Sequence, residues 1–359
     1  MQTLQARAPG KLMLSGEYAV LEGAPAVVLA VDRQVEVTIR ETKADHGRLI
    51  ARPLAQDALS FDLGSNYFWR DETSAHRQLG MTARLLPMLI QHLAQPIQQA
   101  VFELEIDSSA LFDRSFEGNS IKLGLGSSAA TAVALFRALA QFFSHSTIEQ
   151  PLQQQLNELL PLYRRALQSP ASGADLAASL FGGVVSVQAD SEQLHVQREH
   201  WPEGLLWTAI WTMQAAQTTD FVGRYQRWQA RDPNARNVLQ PLFEQAIAVL
   251  TAVRSNNADQ LLESLRQYTH SMAEMDGSIQ TALDHSGSGT DRIITPSHRA
   301  LIDQASAQHV LYKTCGAGGG DLGIALGCDS ERLGVFIDGL SPMPARPLKL
   351  SFAPETIER

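Results

Sequence analysis

Two glycine-rich segments could do chemistry with the backbone alone. GLGSSA, at 124–129, runs into AATAVALFRALAQFF, an alanine-rich stretch that predicts a helix, so its glycines and serines fall at a helix N-terminus. Small residues there let the main chain approach a ligand, and the unpaired N–H groups and positive dipole end of the helix favour an anion such as phosphate. Ser127 and Ser128 add hydroxyls that can contact phosphate or enter the shell of a hard, water-retaining cation such as Mg2+. Gly124, Leu125, Gly126, Ser127, Ser128 and Ala129 are therefore candidate phosphate binders, with Ser128 also a candidate metal ligand. The plainer alternative is a glycine turn whose serines cap the helix.

GAGGGD, at 316–321, lies between two predicted strands. Four glycines in six positions weaken packing without return unless the backbone bends tightly around something. Gly316, Ala317, Gly318 and Gly319 are thus candidates for a second ligand-facing loop, the alternative being a flexible hairpin tip. A P-loop nucleotide site is disfavoured by the absence of GxxxxGK[ST]. GLGSSA does satisfy a loose GxGxxA dinucleotide pattern, but the acidic residue at the right distance, Glu149, falls in the approach to a helix and not at the end of a strand.

The elements that must position these loops follow from periodicity. KLMLSG and APAVVLAVDRQVEVTI read as two strands separated by the turn-prone LEGAP, and residues 74–95 carry apolar positions at helical spacing. AVFELEIDSS alternates like a strand. A helix over 152–167, the loop SPASGAD, a short helix in DLAASLF stopped by Gly182-Gly183, and the strand VVSVQ complete the first half. The second half opens on the strand LLWTAIWTM and is mainly helical from about 221 to 275, broken at Pro233 and Asn256-Asn257. HSGSGTD at 285–291 reads as a flexible loop, Thr295-Pro296 as a helix start, and the chain then closes through HVLYKT, GAGGGD, LGIALG, a short helix and ARPLKLSFA. The Asn66-Tyr67-Phe68-Trp69 cluster could pack on a base or belong to the core.

With 359 residues, 44% hydrophobic and 19% charged, the chain can build two packed lobes with a cleft between them. A formal charge of -9 without a basic run disfavours nucleic acid and anionic membrane as partners. The start lacks the features of a signal peptide, and the longest apolar stretch, 24–31, is too short to span a bilayer, so a cytoplasmic protein is expected. Cys315 and Cys328 stand alone, without CxxC spacing, and read as buried or half-buried thiols.

Three segments in this order, APGKLMLSGEYAVLEGAPAV, KLGLGSSAATAV and KTCGAGGGDLGIAL, resemble the GHMP kinase superfamily across nearly the whole chain. Within it the sequence is most similar to the phosphomevalonate kinases, on the first of those segments continued through VLAVDR, the lysine of IKLGLGSS, ALQSPASGADLAASLFGG, and ITPSHRALIDQA leading into CGAGGGD. One departure concerns the mevalonate kinases, which resemble each other in a Glu about eleven residues before the catalytic Asp. Arg164 stands there in this chain, against a carboxylate metal ligand at that position.

The resemblance implies an α+β fold of two lobes, 1–195 with a left-handed βαβ unit and 196–359 ferredoxin-like, with ATP, Mg2+ and a small-molecule acceptor (phosphomevalonate or mevalonate-like) between them. It implies Lys11 as the lysine that supports the transferring group, and Asp175 as the catalytic aspartate, acting as base or orienting group. A neighbouring ammonium would depress the Asp175 pKa and favour orientation. Lys122 fits an extra anionic group on the acceptor, and Ser15, Glu17, Tyr18, Ser172 and Gly173 are acceptor-pocket candidates by motif position. Other GHMP small-molecule kinases, or a GHMP-fold sensor that has lost catalysis, remain open. Oligomeric state is not encoded in any of these features.

Overall fold

The computed structural model describes residues 3–55, 57–63, 68–94, 101–114, 120–190, 193–213, 218–283, 292–341 and 343–357. HSGSGTD at 285–291 and the first half of the Asn66–Trp69 cluster lie outside the described residues.

Strands β1 (Thr3–Ser15), β2 (Ala26–Glu41), β3 (Gly47–Arg52) and β4 (Leu59–Phe61) come first, followed by helices α1 (Glu72–Leu79) and α2 (Met81–Leu93) and strand β5 (Phe102–Asp107). A small hairpin, β6 (Phe112–Arg114) and β7 (Ser120–Lys122), leads into α3 (Ser127–Phe142); then come α4 (Leu152–Leu167), α5 (Ala174–Phe181), β8 (Val184–Ala189) and β9 (Leu194–Glu199). The second half contains β10 (Leu206–Trp211), α6 (Thr218–Arg231), α7 (Ala235–Arg254), α8 (Ala258–Leu283), α9 (Pro296–Ala307), β11 (Leu311–Thr314), β12 (Leu322–Gly327), α10 (Ser330–Asp338) and β13 (Arg346–Leu348).

The first sheet is organised by β2. Its AVVLAV start, 26–31, is buried without exception, as expected of a central strand covered on both faces. The first part of β2 pairs with β8, its last part with β5, and nearly its whole length with β1, giving the order β4-β3-β5-β2-β8-β9 with β1 alongside β2. The parallel pair β3 and β5 is joined through β4, α1 and α2, a βαβ unit. Helix α3 is buried from Ala129 to Phe136 and again from Ala138 to Ala140, because its small side chains let it lie close against β1, β2 and α5.

The second sheet has the order β11-β12-β10-β13, all antiparallel. Read as βαββαβ, that is the ferredoxin-like arrangement. The expected lobe boundary at 195 falls inside β9, and residues 351–356, after the second sheet, return to the first. The Ala353 N–H donates to the Ala30 carbonyl, the Gly183 N–H to the Ala353 carbonyl and the Thr356 N–H to the Phe181 carbonyl. The half-buried Arg137 of α3 donates to the Leu180 carbonyl and the Thr356 hydroxyl, which fixes this strap at the C-terminal end of α5.

Phe68 and Trp69 resolve as core. Phe68 stacks on Phe61 at 5.0 Å, and the Trp69 indole N–H donates to the Ala83 carbonyl. Of the two cysteines, Cys328 is exposed, since it falls in the turn from β12 to α10; Cys315 is half-buried, and burial pushes its thiol up to about 11.

Candidate active site

The first glycine loop sits on β1 at a bulge. Strand pairing between β1 and β2 shifts register between Pro9 and Gly10, which frees the Lys11 N–H to donate to the Leu125 carbonyl at 2.8 Å. Gly126 caps α3 in the left-handed conformation, φ 72°, and a Cβ there would lie 2.9 Å from both Cγ and Cε of Lys11. Glycine at 126 is thus required twice, by its backbone and by the lysine stem laid across it. The Lys11 ammonium reaches the other loop, since a Cβ on Gly316 would be 4.0 Å from Nζ.

The loops also meet directly. A Cβ on Gly124 would be 2.7 Å from Cβ and 2.8 Å from Oδ2 of Asp321, so the acidic residue that closes GAGGGD rests on the first glycine of GLGSSA. One cation and one carboxylate therefore tie together segments nearly two hundred residues apart.

The 316–321 loop is held residue by residue. The Gly316 N–H donates to Glu17 Oε1 at 3.4 Å, the Ala317 carbonyl accepts from the Tyr18 hydroxyl at 2.5 Å, and the Gly319 N–H donates to the Ile293 carbonyl at 2.9 Å. Asp276 of α8 accepts from the Ile293 N–H, which sets that partner in turn. The Gly320 carbonyl faces His298, and the Asp321 carbonyl accepts from both the N–H and the hydroxyl of Thr212. This is a built loop and not a flexible hairpin tip.

Ser15, Glu17 and Tyr18 form the wall opposite. Glu17 pairs with Lys313 at 2.7 Å, each 2% exposed, and its backbone carbonyl accepts from the Tyr268 hydroxyl. Such a buried pair balances desolvation against a short charge-assisted bond. Glu17 Oε2 and Ser15 Oγ are buried without a hydrogen-bond partner among the described residues, which leaves two polar atoms able to take a ligand's hydroxyl. Neither Lys313 nor Tyr268 was predicted as part of the site; nothing local in the sequence marks them, because their partners lie about 250 to 300 residues away.

Asp175 is the second residue of α5, preceded by Gly173 as a left-handed N-cap at φ 88°. Its Oδ2 accepts from the Tyr163 hydroxyl at 3.2 Å. Burial, with the adjacent carboxylate, holds that phenol well above its usual range, so it stays a donor. Ser172 accepts from the Ala174 N–H, and Arg164 donates from Nε to the Ala171 carbonyl at 2.8 Å, bracing the loop that delivers Asp175. Arg164 thus has a positioning contact where the mevalonate kinases carry a glutamate. Since α5 and α3 both pack on β1 and on each other, Asp175, Ser127, Ser128 and Lys11 ride on three mutually packed elements.

Lys122, exposed at the end of β7, lines a cleft of about 260 Å³ together with Ser127, Ser128 and Thr131 of α3 and with Leu54, Leu79 and Met81. The structure therefore places Lys122 beside the N-terminus of α3. Ser128 can bind a cation alongside phosphate oxygens; no group of three or more His, Cys, Asp or Glu side chains gathers around a metal position among the described residues.

Comparison with known proteins gives this geometry its context. The model of the GHMP kinases N terminal domain matches residues 88–183. A phosphomevalonate kinase of Streptomyces sp. is 30% identical, covering 90% of each chain. A crystal structure of a Listeria innocua protein superposes with a TM-score of 0.82 at 20% identity over 99% of both chains. The phosphomevalonate kinase of Streptococcus pneumoniae, solved in complex with phosphomevalonate and AMPPNP, superposes with a TM-score of 0.72 at 20% identity, covering 97% of this chain and 99% of that one.

Proposed function

The chain belongs to the GHMP kinase family, and we propose that it transfers the γ-phosphoryl group of ATP to 5-phosphomevalonate, giving the diphosphate and ADP. The observation that carries the chemistry is Lys11, whose stem lies on the first glycine loop and whose ammonium reaches the second. The acceptor is carried by the 30% identity to the Streptomyces phosphomevalonate kinase.

Phosphoryl transfer asks mainly for alignment and for neutralisation of charge on the transferring group. In this reading the α3 N-terminus, with Ser127 and Ser128, receives the ATP phosphates. Lys11 stabilises the γ-phosphoryl oxygens as the bond to ADP breaks and the bond to the acceptor oxygen forms. Asp175 orients that acceptor oxygen, and the Tyr163 hydroxyl, donating to Oδ2, holds the carboxylate in place for it. The apolar side of the cleft, Leu54, Leu79 and Met81, suits the adenine. Mg2+, held by Ser128 and phosphate oxygens, would supply charge neutralisation. Ser15, Glu17, Tyr18, Ser172, Gly173 and the 316–319 backbone enclose the acceptor. The net charge of -9 fits a cytoplasmic enzyme that takes small anions through local cations and not through a basic surface.

Lys122 is assigned to the acceptor's own phosphate, and its seat beside Ser127 and Ser128 makes that assignment testable. In Lys122→Ala, a KM rise confined to the acceptor supports it, whereas a rise confined to ATP moves the lysine to the nucleotide. For the reaction itself, ADP release is measured with phosphomevalonate, mevalonate, galactose and homoserine. Turnover of phosphomevalonate is expected; turnover of mevalonate alone would identify a mevalonate kinase, and silence on every acceptor would leave a non-catalytic GHMP-fold protein.

A further inference from the structure

His298 is a buried titratable group that none of the chemistry above uses. It lies in the first turn of α9 with no solvent exposure, Nε2 3.1 Å from the Gly320 carbonyl and Nδ1 2.9 Å from the Tyr312 hydroxyl. A carbonyl can only accept, so Nε2 carries a proton. Burial first, and then the Lys313 ammonium, depress the imidazole to about 4, so the ring is neutral at ordinary pH and Nδ1 must accept from Tyr312. Both ring nitrogens are thereby assigned.

The relay extends one residue further at each end. A Cβ on Gly323 would lie 2.1 Å from the Tyr312 hydroxyl oxygen, so glycine at 323 is what lets that hydroxyl reach the ring. At the other end, the Gly320–Asp321 peptide is planar, and fixing its carbonyl toward α9 turns the Asp321 N–H the opposite way. Gly320 and Asp321 both hold positive φ, 137° and 56°. For a non-glycine residue such a conformation is strained and persists only where the surroundings impose it. The imposing contacts are His298 on one carbonyl and Thr212 on the next, and the supported residue is the one that rests on Gly124.

We propose that His298 is a positioning residue for phosphoryl transfer, whose neutral Nε2–H tautomer orients the Gly320–Asp321 peptide and so keeps the second glycine loop in register against the first. The proposal rests on the kinase reading given above.

Two substitutions separate this role from simple packing. His298→Gln can place an amide N–H near the Nε2 position, whereas His298→Asn reaches only the Nδ1 position and leaves the Gly320 carbonyl without its donor. With ATP and phosphomevalonate, Asn is expected to lower kcat by roughly 30-fold with the ATP KM within about threefold, and Gln to recover most of that loss, since small misplacements at a transfer site cost up to ~100-fold. Nitrogen NMR of the imidazole should show the Nε2–H tautomer unchanged from pH 8 to pH 5. The proposal is overturned if kcat is unchanged in both variants, if it falls equally in both and in step with thermal stability, or if the ring is an imidazolium at neutral pH. Should the Asn variant not fold, Tyr312→Phe removes the donor to Nδ1 at nearly constant volume; a kcat reduced severalfold supports the relay, and a wild-type kcat overturns it. A wild-type enzyme silent on all acceptors would instead overturn the kinase reading and this proposal with it, an outcome the wild-type assay reveals before any variant is made.

Discussion

The two glycine loops do related work and are built in opposite ways. The 124–129 loop is a local object: left-handed glycines feed a helix whose own N-terminus presents unpaired N–H groups, and the long-range demand upon it is room for Lys11 and Asp321. The 316–321 loop has no helix behind it and takes its shape from side chains and backbone of five residues in three distant segments, Glu17 and Tyr18, Thr212, and Ile293 and His298. A loop that is the end of a helix carries its geometry with it. A loop between two strands must have its geometry imposed.

Removing the bridge between them should have the largest effect. Lys11→Ala is expected to reduce kcat by roughly a thousandfold, the upper range for loss of one charge-stabilising donor, with thermal stability nearly unchanged. A variant retaining more than a tenth of wild-type kcat would show that the loops do not need their shared cation.

Acid should separate the loops, because a titratable ring supports only the second. The folded-state pKa of His298 is about 4, below the usual 6.5, so the unfolded chain binds a proton more readily between those values. The stabilisation is complete above about pH 6.5 and lost as pH falls toward 4, amounting to about 3 kcal/mol. Asp276, whose carboxyl is pushed up mainly by burial, works in the opposite direction, so the informative quantity is the difference in unfolding free energy between wild type and His298→Gln across that window. Parallel curves would contradict the assignment.

The two loops also differ in what crowds their glycines. A Cβ on Gly318 would meet the Ile293 carbonyl oxygen at 2.5 Å with φ at 85°, a clash with backbone, and Gly318→Ala should cost about 2–3 kcal/mol in urea unfolding. On Gly124 the obstruction is the Asp321 side chain, whose carboxyl can rotate away while its Cβ, at 2.7 Å, yields only by a small shift of the loop, so Gly124→Ala should cost less, about 1–2 kcal/mol, with its φ of 75° contributing. Equal costs would erase the distinction. The smallest effect expected is for Tyr18→Phe, which leaves the Ala317 carbonyl without its donor, at about 1 kcal/mol in the same assay, with a modest rise in acceptor KM.

The same distinction explains what could be read in advance. The first loop, its helix, the SGAD helix start and the Thr295 cap are local patterns, and each element forms where spacing and capping residues place it. The ferredoxin-like order of the second sheet and the βαβ unit came through resemblance to a family, because strand pairing is a long-range outcome. The second loop could be suspected from its glycines, but not its fastening. Glu17 and Lys313 look in isolation like surface charges, and only the fold buries them against each other. Lys122 was placed with the acceptor by motif; the fold seats it on the cleft lined by Ser127 and Ser128 because β7 runs directly into the first loop, and the KM values of Lys122→Ala decide which ligand it serves.

The strap at 351–356 has a consequence in time. The helix bearing Asp175 ends at Phe181 and Gly182, and those residues are hydrogen-bonded or packed by the strap, which is synthesised only after every element of the second sheet. At about 5–20 residues per second, translation takes roughly eight to thirty seconds to go from the end of β9 to the strap. Throughout that interval the first sheet lacks the segment that closes over the end of α5 and the start of β8. A half-made chain therefore cannot present a finished catalytic lobe on the ribosome, and the first lobe becomes complete only when the second has already been made.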